Sequence, residues 1–166
     1  MSMPDGSASS NGGYSSSPTD STFNPSLPPG NTFKVVVVTN IIMELPSSYP
    51  SLWLRELEPP WRDLRIPIGM AEGIAIAYAW KHIETPRPLT HQLFARIQEL
   101  FDIQLEVVRI KGMEGQNFIA ELVIVGPDGR QEVVDCRPSD AIAMALRQTT
   151  PTPILVAESI LAQSRR

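Results

Sequence analysis

A single cysteine, Cys136, stands among 166 residues, so no intrachain disulfide is possible and a zinc site built from several cysteines is excluded. A reducing cytoplasm is the natural compartment for such a chain. Histidine is nearly as scarce, with only His82 and His91 to consider for proton transfer. No apolar run approaches the roughly 20 residues needed to span a bilayer, so no membrane partner is expected. The N-terminus lacks the basic and apolar regions of a secretory signal. Positive charge is sparse too. The net charge is −4, and residues 1–32 contain no Lys or Arg. Residues 33–166 carry 14 Lys+Arg against 16 Asp+Glu, without the basic footprint of a protein that coats nucleic acid. Local contact with a phosphate stays open. Also missing are a Walker loop, a G-x-G-x-x-G after a strand, a G-x-S-x-G and an H-E-x-x-H. No organic cofactor is expected.

What is present falls into two unlike parts. Residues 1–32 hold nine Ser, five Pro, four Gly and three Asn. Such a segment buries too little apolar surface to offset its chain entropy, and a disordered tail is expected. Residues 33–166 form the expected domain. Phe33 to Val38 reads as a buried strand, with Ile41 to Leu45 as an extension. Ser51–Glu58 and Arg62–Ile68 read as two more, separated by Pro59-Pro60. Met70–Ile83 is an Ala-rich helix with apolar residues on more than one face. After Thr85-Pro86-Arg87-Pro88, Thr90 is the expected N-cap of a helix to about Asp102, with Leu93, Phe94, Ile97, Leu100 and Phe101 as its apolar stripe. Strands follow at Ile103–Ile110, Phe118–Val125 and Gln131–Cys136, with turns at Gly112–Gly115 and Pro127-Asp128-Gly129. A helix to about Arg147 opens with Ser139 as N-cap or Pro138 as first residue. Ile154–Val156 reads as a short strand and Glu158–Ser164 as a last helix.

The order strand-strand-strand-helix-helix occurs twice. Glu72-Gly73-Ile74-Ala75-Ile76-Ala77 aligns with Asp140-Ala141-Ile142-Ala143-Met144-Ala145, 68 positions on, and Pro86-x-Pro88 with Pro151-x-Pro153 after a three-residue slip. The expected fold is α+β: duplicated units forming one compact domain, with Ala-rich helices packed on a mixed or antiparallel sheet.

Two clusters carry candidate chemistry. His91 lies in the first turn of a helix, where exposed N–H groups and the helix dipole disfavour the imidazolium. A neutral histidine there suits a general base, and Arg87 with the helix start, including Thr90, suits a phosphate. A histidine that merely packs at a helix start explains the same residues. Asp135-Cys136-Arg137-Pro138-Ser139-Asp140 sits where a strand feeds a helix. Asp140 has a structural reason in its attraction to the dipole. The chemical reading is that Asp135 and Asp140, with Glu72 as the repeat counterpart, hold a divalent cation through oxygen, while Arg137 stabilises phosphate charge beside Ser139. Cys136 reads as a small core residue, His82 as a cation at a helix end, and Trp53, Trp61 and Trp80 as core or interface.

Ile66-Pro67-Ile68-Gly69-x-x-Glu72, then Pro86-Arg87-Pro88-Leu89-Thr90-His91, then Asp135-x-Arg137-Pro138-Ser139-Asp140-Ala141-Ile142-Ala143 resemble, in order and spacing, the bifunctional nuclease domain family. The resemblance covers about residues 33–163. It implies a duplicated strand-and-helix fold, homo-oligomers, most simply a dimer, and nuclease activity on DNA and RNA with low sequence specificity. It marks Glu72, Arg87, Thr90, His91, Asp135, Arg137, Ser139 and Asp140 as motif positions only; the roles follow from the residue chemistry above, which in a nuclease makes His91 the base, joins Asp140 and Arg137 to it in catalysis, gives phosphate to Arg87, Thr90 and Ser139, and gives Mg²⁺ or Mn²⁺ to Asp135, Asp140 and Glu72. Two positions depart from the family pattern. Gln92 stands where an acid often follows the His, and Cys136 where Ser is common. The rival reading is a non-catalytic homo-oligomeric binding or regulatory module.

Overall fold

A computed structural model describes residues 32–150 and 152–164. The expected tail, Thr32 apart, lies outside the described residues. The elements in chain order are β1 (Phe33–Ile42), β2 (Ser51–Glu56), β3 (Asp63–Pro67), α1 (Met70–Trp80), α2 (Thr90–Leu100), β4 (Gln104–Glu114), β5 (Asn117–Val125), β6 (Gln131–Cys136), α3 (Pro138–Ala145), β7 (Ile154–Ala157) and α4 (Glu158–Gln163). The fold is α+β. One seven-stranded sheet runs β3-β2-β1-β7-β4-β5-β6. Every neighbouring pair is antiparallel except β4 and β7, which are parallel.

Each meander of three strands is followed by an Ala-rich helix, and the two helices, α1 and α3, pack against each other. The small side chains of Ala141, Ala143 and Ala145 let α3 settle closely onto β4 and β5. The two halves are not equal strand-strand-strand-helix-helix units. β7 intervenes between α3 and α4 and enters the sheet between β1 and β4, joining the meanders. Alternation along the strands supplies the core: Val36 and Val38, Leu52 and Leu54, Leu64 and Ile66, Val108 and Ile110 point inward onto Ile76, Ile142 and Leu161. Their neighbours Val35 and Val37 face the other way and are exposed.

Among the boundaries that differ from the sequence reading, four have a visible backbone cause. β1 continues to Ile42 because a register shift between Val38 and Asn40 absorbs the bend instead of ending the strand. β4 runs through Gly112 to Glu114 by the same device, so the turn shrinks to Gly115 and Gln116. α1 stops at Trp80, where His82 takes φ 52°. The Ile83 N–H then bonds to Tyr78 O at 2.8 Å and the His82 N–H to Ala79 O at 3.1 Å, the paired bonds of a Schellman ending. α2 ends identically, with Asp102 at φ 53°.

The larger correction concerns α2. Its stripe of Leu93, Phe94, Ile97, Leu100 and Phe101 faces outward, with Phe101 66% exposed, whereas Gln98 is only 4% exposed. The helix meets α3 through a different face and packs mainly on that helix, not on the sheet, so its stripe is left without a core to cover. Trp61 is exposed on the β2–β3 turn, and Trp80 packs against the core.

Beneath the β2–β3 turn lies a buried ion network. Glu56 is 1% exposed; Arg62 Nε donates to its Oε2 at 2.9 Å and Arg62 Nη2 to its Oε1 at 3.0 Å. The same guanidinium reaches Glu158 Oε2 at 2.8 Å, tying β2 to the start of α4. The hydrogen bonds from Arg62 hold the Glu56 carboxyl below its usual range against the opposing effect of burial.

Candidate active site

The starts of α1 and α3 meet at one guanidinium, and the start of α2 reaches the carboxylate beside it. Gly69 is the N-cap of α1 and Glu72 follows in its first turn. A Cβ on Gly69 would collide with Glu72 Oε2, so glycine there lets the Glu72 side chain fold back over the helix start. Arg137 is the N-cap of α3, Pro138 its first residue, and Asp140 occupies the position in α3 that Glu72 occupies in α1. Ser139 is therefore not the cap; it is buried in the first turn. Arg137 Nε donates to Asp140 Oδ2 at 2.8 Å, its Nη2 to Asp140 Oδ1 at 3.2 Å, and its Nη1 to Glu72 Oε1 at 2.8 Å. The two carboxylates aligned 68 positions apart in the sequence thus meet on one arginine.

The third helix adds His91. Its Nε2 lies 3.0 Å from Asp140 Oδ1. Leu89, not Thr90, is the N-cap of α2; Thr90 is its exposed first residue. A leucine has no oxygen with which to cap, and Gln92 compensates from inside the turn. Gln92 Oε1 accepts from the Leu89 N–H at 2.8 Å and the Thr85 hydroxyl at 2.7 Å, and its Nε2 donates to Ile83 O at 3.3 Å. These bonds fix the loop that presents His91. From the sequence Gln92 reads as an exposed helix residue standing where an acid is common; the signal for its capping role is a Gln three residues after the N-cap, the second half of a capping box.

The electrostatics follow from this geometry. Burial alone would raise the Asp140 carboxyl, but the hydrogen bonds from Arg137 and His91 outweigh it and hold the group below its usual range. An ionised Asp140 accepts, so in the neutral imidazole the contact selects the tautomer with its proton on Nε2 and its lone pair on Nδ1. The His91 side chain is 18% exposed and that of Arg137 65%. Arg137 has five N–H donors. Three are engaged here, and the outer edge of the fork faces water. Arg87 is exposed, and its guanidinium has no polar partner among the described residues.

Asp135 does not join the cluster. It pairs with Glu121 across β5 and β6, and Lys111 Nζ binds it at 2.6 Å and Glu121 at 2.9 Å. Neither Lys111 nor Glu121 was singled out from the sequence. Asp135, Asp140 and Glu72 thus do not form one centre: among the described residues no three His, Cys, Asp or Glu side chains come together as metal ligands. The donor set does not fit a cation as it stands, because the Arg137 guanidinium sits between Glu72 and Asp140 and takes the oxygens a metal would need. Cys136 lies between the two carboxylate groups. Burial, reinforced by Asp140 and Asp135, pushes its thiol up to about 11, so it stays protonated and poorly nucleophilic.

The family model of the bifunctional nuclease domain matches residues 52–166, spanning both halves of this cluster. The chain belongs to the bifunctional nuclease domain family. Two uncharacterized proteins of Mycobacterium tuberculosis, from strains CDC 1551 / Oshkosh and H37Rv, are each 40% identical to it over 129 residues, covering 78% of this chain and 74% of theirs. The family match begins inside β2, yet β1 is an interior strand of the sheet, paired on both sides. The bifunctional nuclease domain of this chain is therefore built around a strand that precedes the matched region.

Proposed function

We propose that this protein is a nuclease that hydrolyses phosphodiester bonds in DNA and RNA with low sequence specificity. The observation that carries the reading is the 3.0 Å contact between His91 Nε2 and Asp140 Oδ1 beside the exposed edge of Arg137. Asp140 holds the imidazole in the tautomer whose free nitrogen accepts a proton. His91 takes that proton from water as the water oxygen bonds to phosphorus and the P–O bond to the leaving nucleoside oxygen breaks, that oxygen taking a proton from solvent; in RNA the 2′-hydroxyl can attack in place of water, expelling the same oxygen and leaving a 2′,3′-cyclic phosphate that water then opens. The free donors of Arg137 meet the charge that builds on the phosphoryl oxygens, and Arg87 holds a flanking phosphate. Thr90 and Ser139 bound the two helix starts at which that phosphate lies. Glu72 holds Arg137 in place. Mg²⁺ or Mn²⁺ would have to displace the guanidinium from between Glu72 and Asp140, so no step here is assigned to a metal.

The test is cleavage of fluorogenic single-stranded RNA and DNA by purified protein, with Mg²⁺, Mn²⁺ or a chelator, alongside His91→Ala and Asp140→Asn. Activity that co-purifies with the wild type and vanishes in both folded variants supports the reading. Activity that persists equally in both variants belongs to a contaminant and sinks it.

We further propose a homo-oligomer, most simply a dimer, because the outward stripe of α2 is the kind of amphipathic face that a second copy covers. A non-catalytic regulatory module is supported by one observation: Glu72, Arg137, Asp140 and His91 satisfy one another and stitch α1, α2 and α3 together. We further propose a cytoplasmic location, since the single cysteine has no intrachain partner for a disulfide. None of the described helices is long and apolar enough to cross a membrane.

A further inference from the structure

Away from the His91 cluster, an open groove of about 1150 Å³ runs between α2, the loop that follows α1, and residues 146–150, which follow α3. None of Glu72, His91, Arg137 or Asp140 lines it. Its polar groups are left incomplete in a consistent way. Gln98 is only 4% exposed, and its buried Oε1 accepts no hydrogen bond. Gln131 spends its amide nitrogen on Glu106, and its buried Oε1 also accepts nothing. Arg147 donates from Nη2 to Ala75 O at 3.3 Å, but its buried Nε has no acceptor and no carboxylate pairs with it among the described residues. Burial holds its guanidinium below the usual arginine range.

Buried polar atoms are rarely orphaned, and orphans that share a cavity point to a missing molecule that completes them. Two acceptors want N–H or O–H donors, and one cation wants an anion. Carboxylates at Glu84, Glu99, Asp102 and Glu106 line the same groove. They oppose a polyanion such as a nucleic-acid strand and favour a ligand that also carries positive charge. We infer that the groove binds a small zwitterion of the amino-acid class, a free amino acid or a short peptide. Its carboxylate pairs with Arg147, and its N–H groups (the ammonium, joined by the amides in a peptide) donate to Gln98 and Gln131. This inference is independent of the nuclease reading, since none of its residues takes part in that chemistry.

The experiment is calorimetry and thermal shift on the full chain, using the twenty free L-amino acids one by one, a panel of di- and tripeptides, and inorganic phosphate and adenosine monophosphate as comparators. At least one amino acid or peptide is expected to bind saturably and to raise Tm. Its C-terminal amide, tested on the unaltered protein, should bind at least tenfold more weakly. Gln98→Leu and Arg147→Lys should each weaken binding at least tenfold; in Gln98→Leu Tm without ligand stays at or above wild type, because that variant removes an unmet buried acceptor, and circular dichroism confirms that Arg147→Lys is folded. Free amino acids active where peptides are not would assign the site to the former, and the converse to the latter. Three results overturn the inference: no amino acid or peptide binds, phosphate or adenosine monophosphate binds in their place, or the amide binds as well as the acid.

Discussion

Replacing Arg62 with methionine removes a cation and leaves its hydrophobic stem, so the change isolates the charge. It strands Glu56, which is 1% exposed and otherwise held by that guanidinium. Removing one partner of a buried pair costs about 3–5 kcal/mol, because the remaining charge is neither solvated nor paired. Against a total stability of about 5–15 kcal/mol the loss is large. At about 2–4 °C per kcal/mol for a chain of this length it lowers Tm by about 6–20 °C. Glu158 contributes less, because its side chain is 39% exposed and water takes over part of the role of Arg62. The double variant Glu56→Leu with Arg62→Met should recover most of the loss, since apolar replacement of a whole buried pair is close to neutral. The pH dependence carries a sign. Arg62 lowers the Glu56 carboxyl below its ordinary 4.5, so the stabilisation is full above that value and is lost as pH falls through the folded value. In Arg62→Met that carboxyl is raised instead, so acidification narrows the gap between variant and wild type. Urea unfolding followed by tryptophan fluorescence at pH 7 and pH 4 measures both effects. A loss under 1 kcal/mol at pH 7, or a gap that widens on acidification, refutes the argument that Glu56 is a desolvated charge depending on Arg62.

In the nuclease reading, His91→Ala lowers the cleavage rate by about 10²–10⁴-fold, the range for loss of a general base, with little change in Tm. Asp140→Asn keeps the shape but removes the carboxylate bound by Arg137 and His91; because those bonds depress Asp140 below 3.8, their contribution to wild-type stability is present above that pH and fades as pH falls through the folded value, a slope the variant lacks. Gly69→Ala displaces the far end of a flexible Glu72 side chain, so stability changes little while Arg137 loses one anchor and the rate falls; crystallography of the variant checks the displacement. Phe94→Glu breaks the proposed dimer without unfolding the monomer, and light scattering that shows a wild-type monomer at micromolar concentration contradicts the oligomer. Removing residues 1–31 leaves Tm within error, as their composition predicts.

The sequence by itself determined the elements and the three motifs. Period-two alternation at Leu52, Leu54, Leu64 and Ile66, and the Ala-rich run after Gly69, are local properties written in the order of residues. Spacing was enough to mark His91, Arg137 and Asp140, which the fold brings together although 46 to 49 positions separate the histidine from the others. Tertiary structure decided the rest. Which way the stripe of α2 points depends on what is left to cover once β1, β4, α1 and α3 have closed the core, and an amphipathic helix looks the same whether it faces its own core or a partner. The partner of Asp135 depends on strand pairing: β5 places Glu121 beside it, and the bulged β4 carries Lys111 to both, a register that no local window contains. The place of β7 between β1 and β4 is likewise a matter of long-range pairing, and it is what turns two meanders into one sheet.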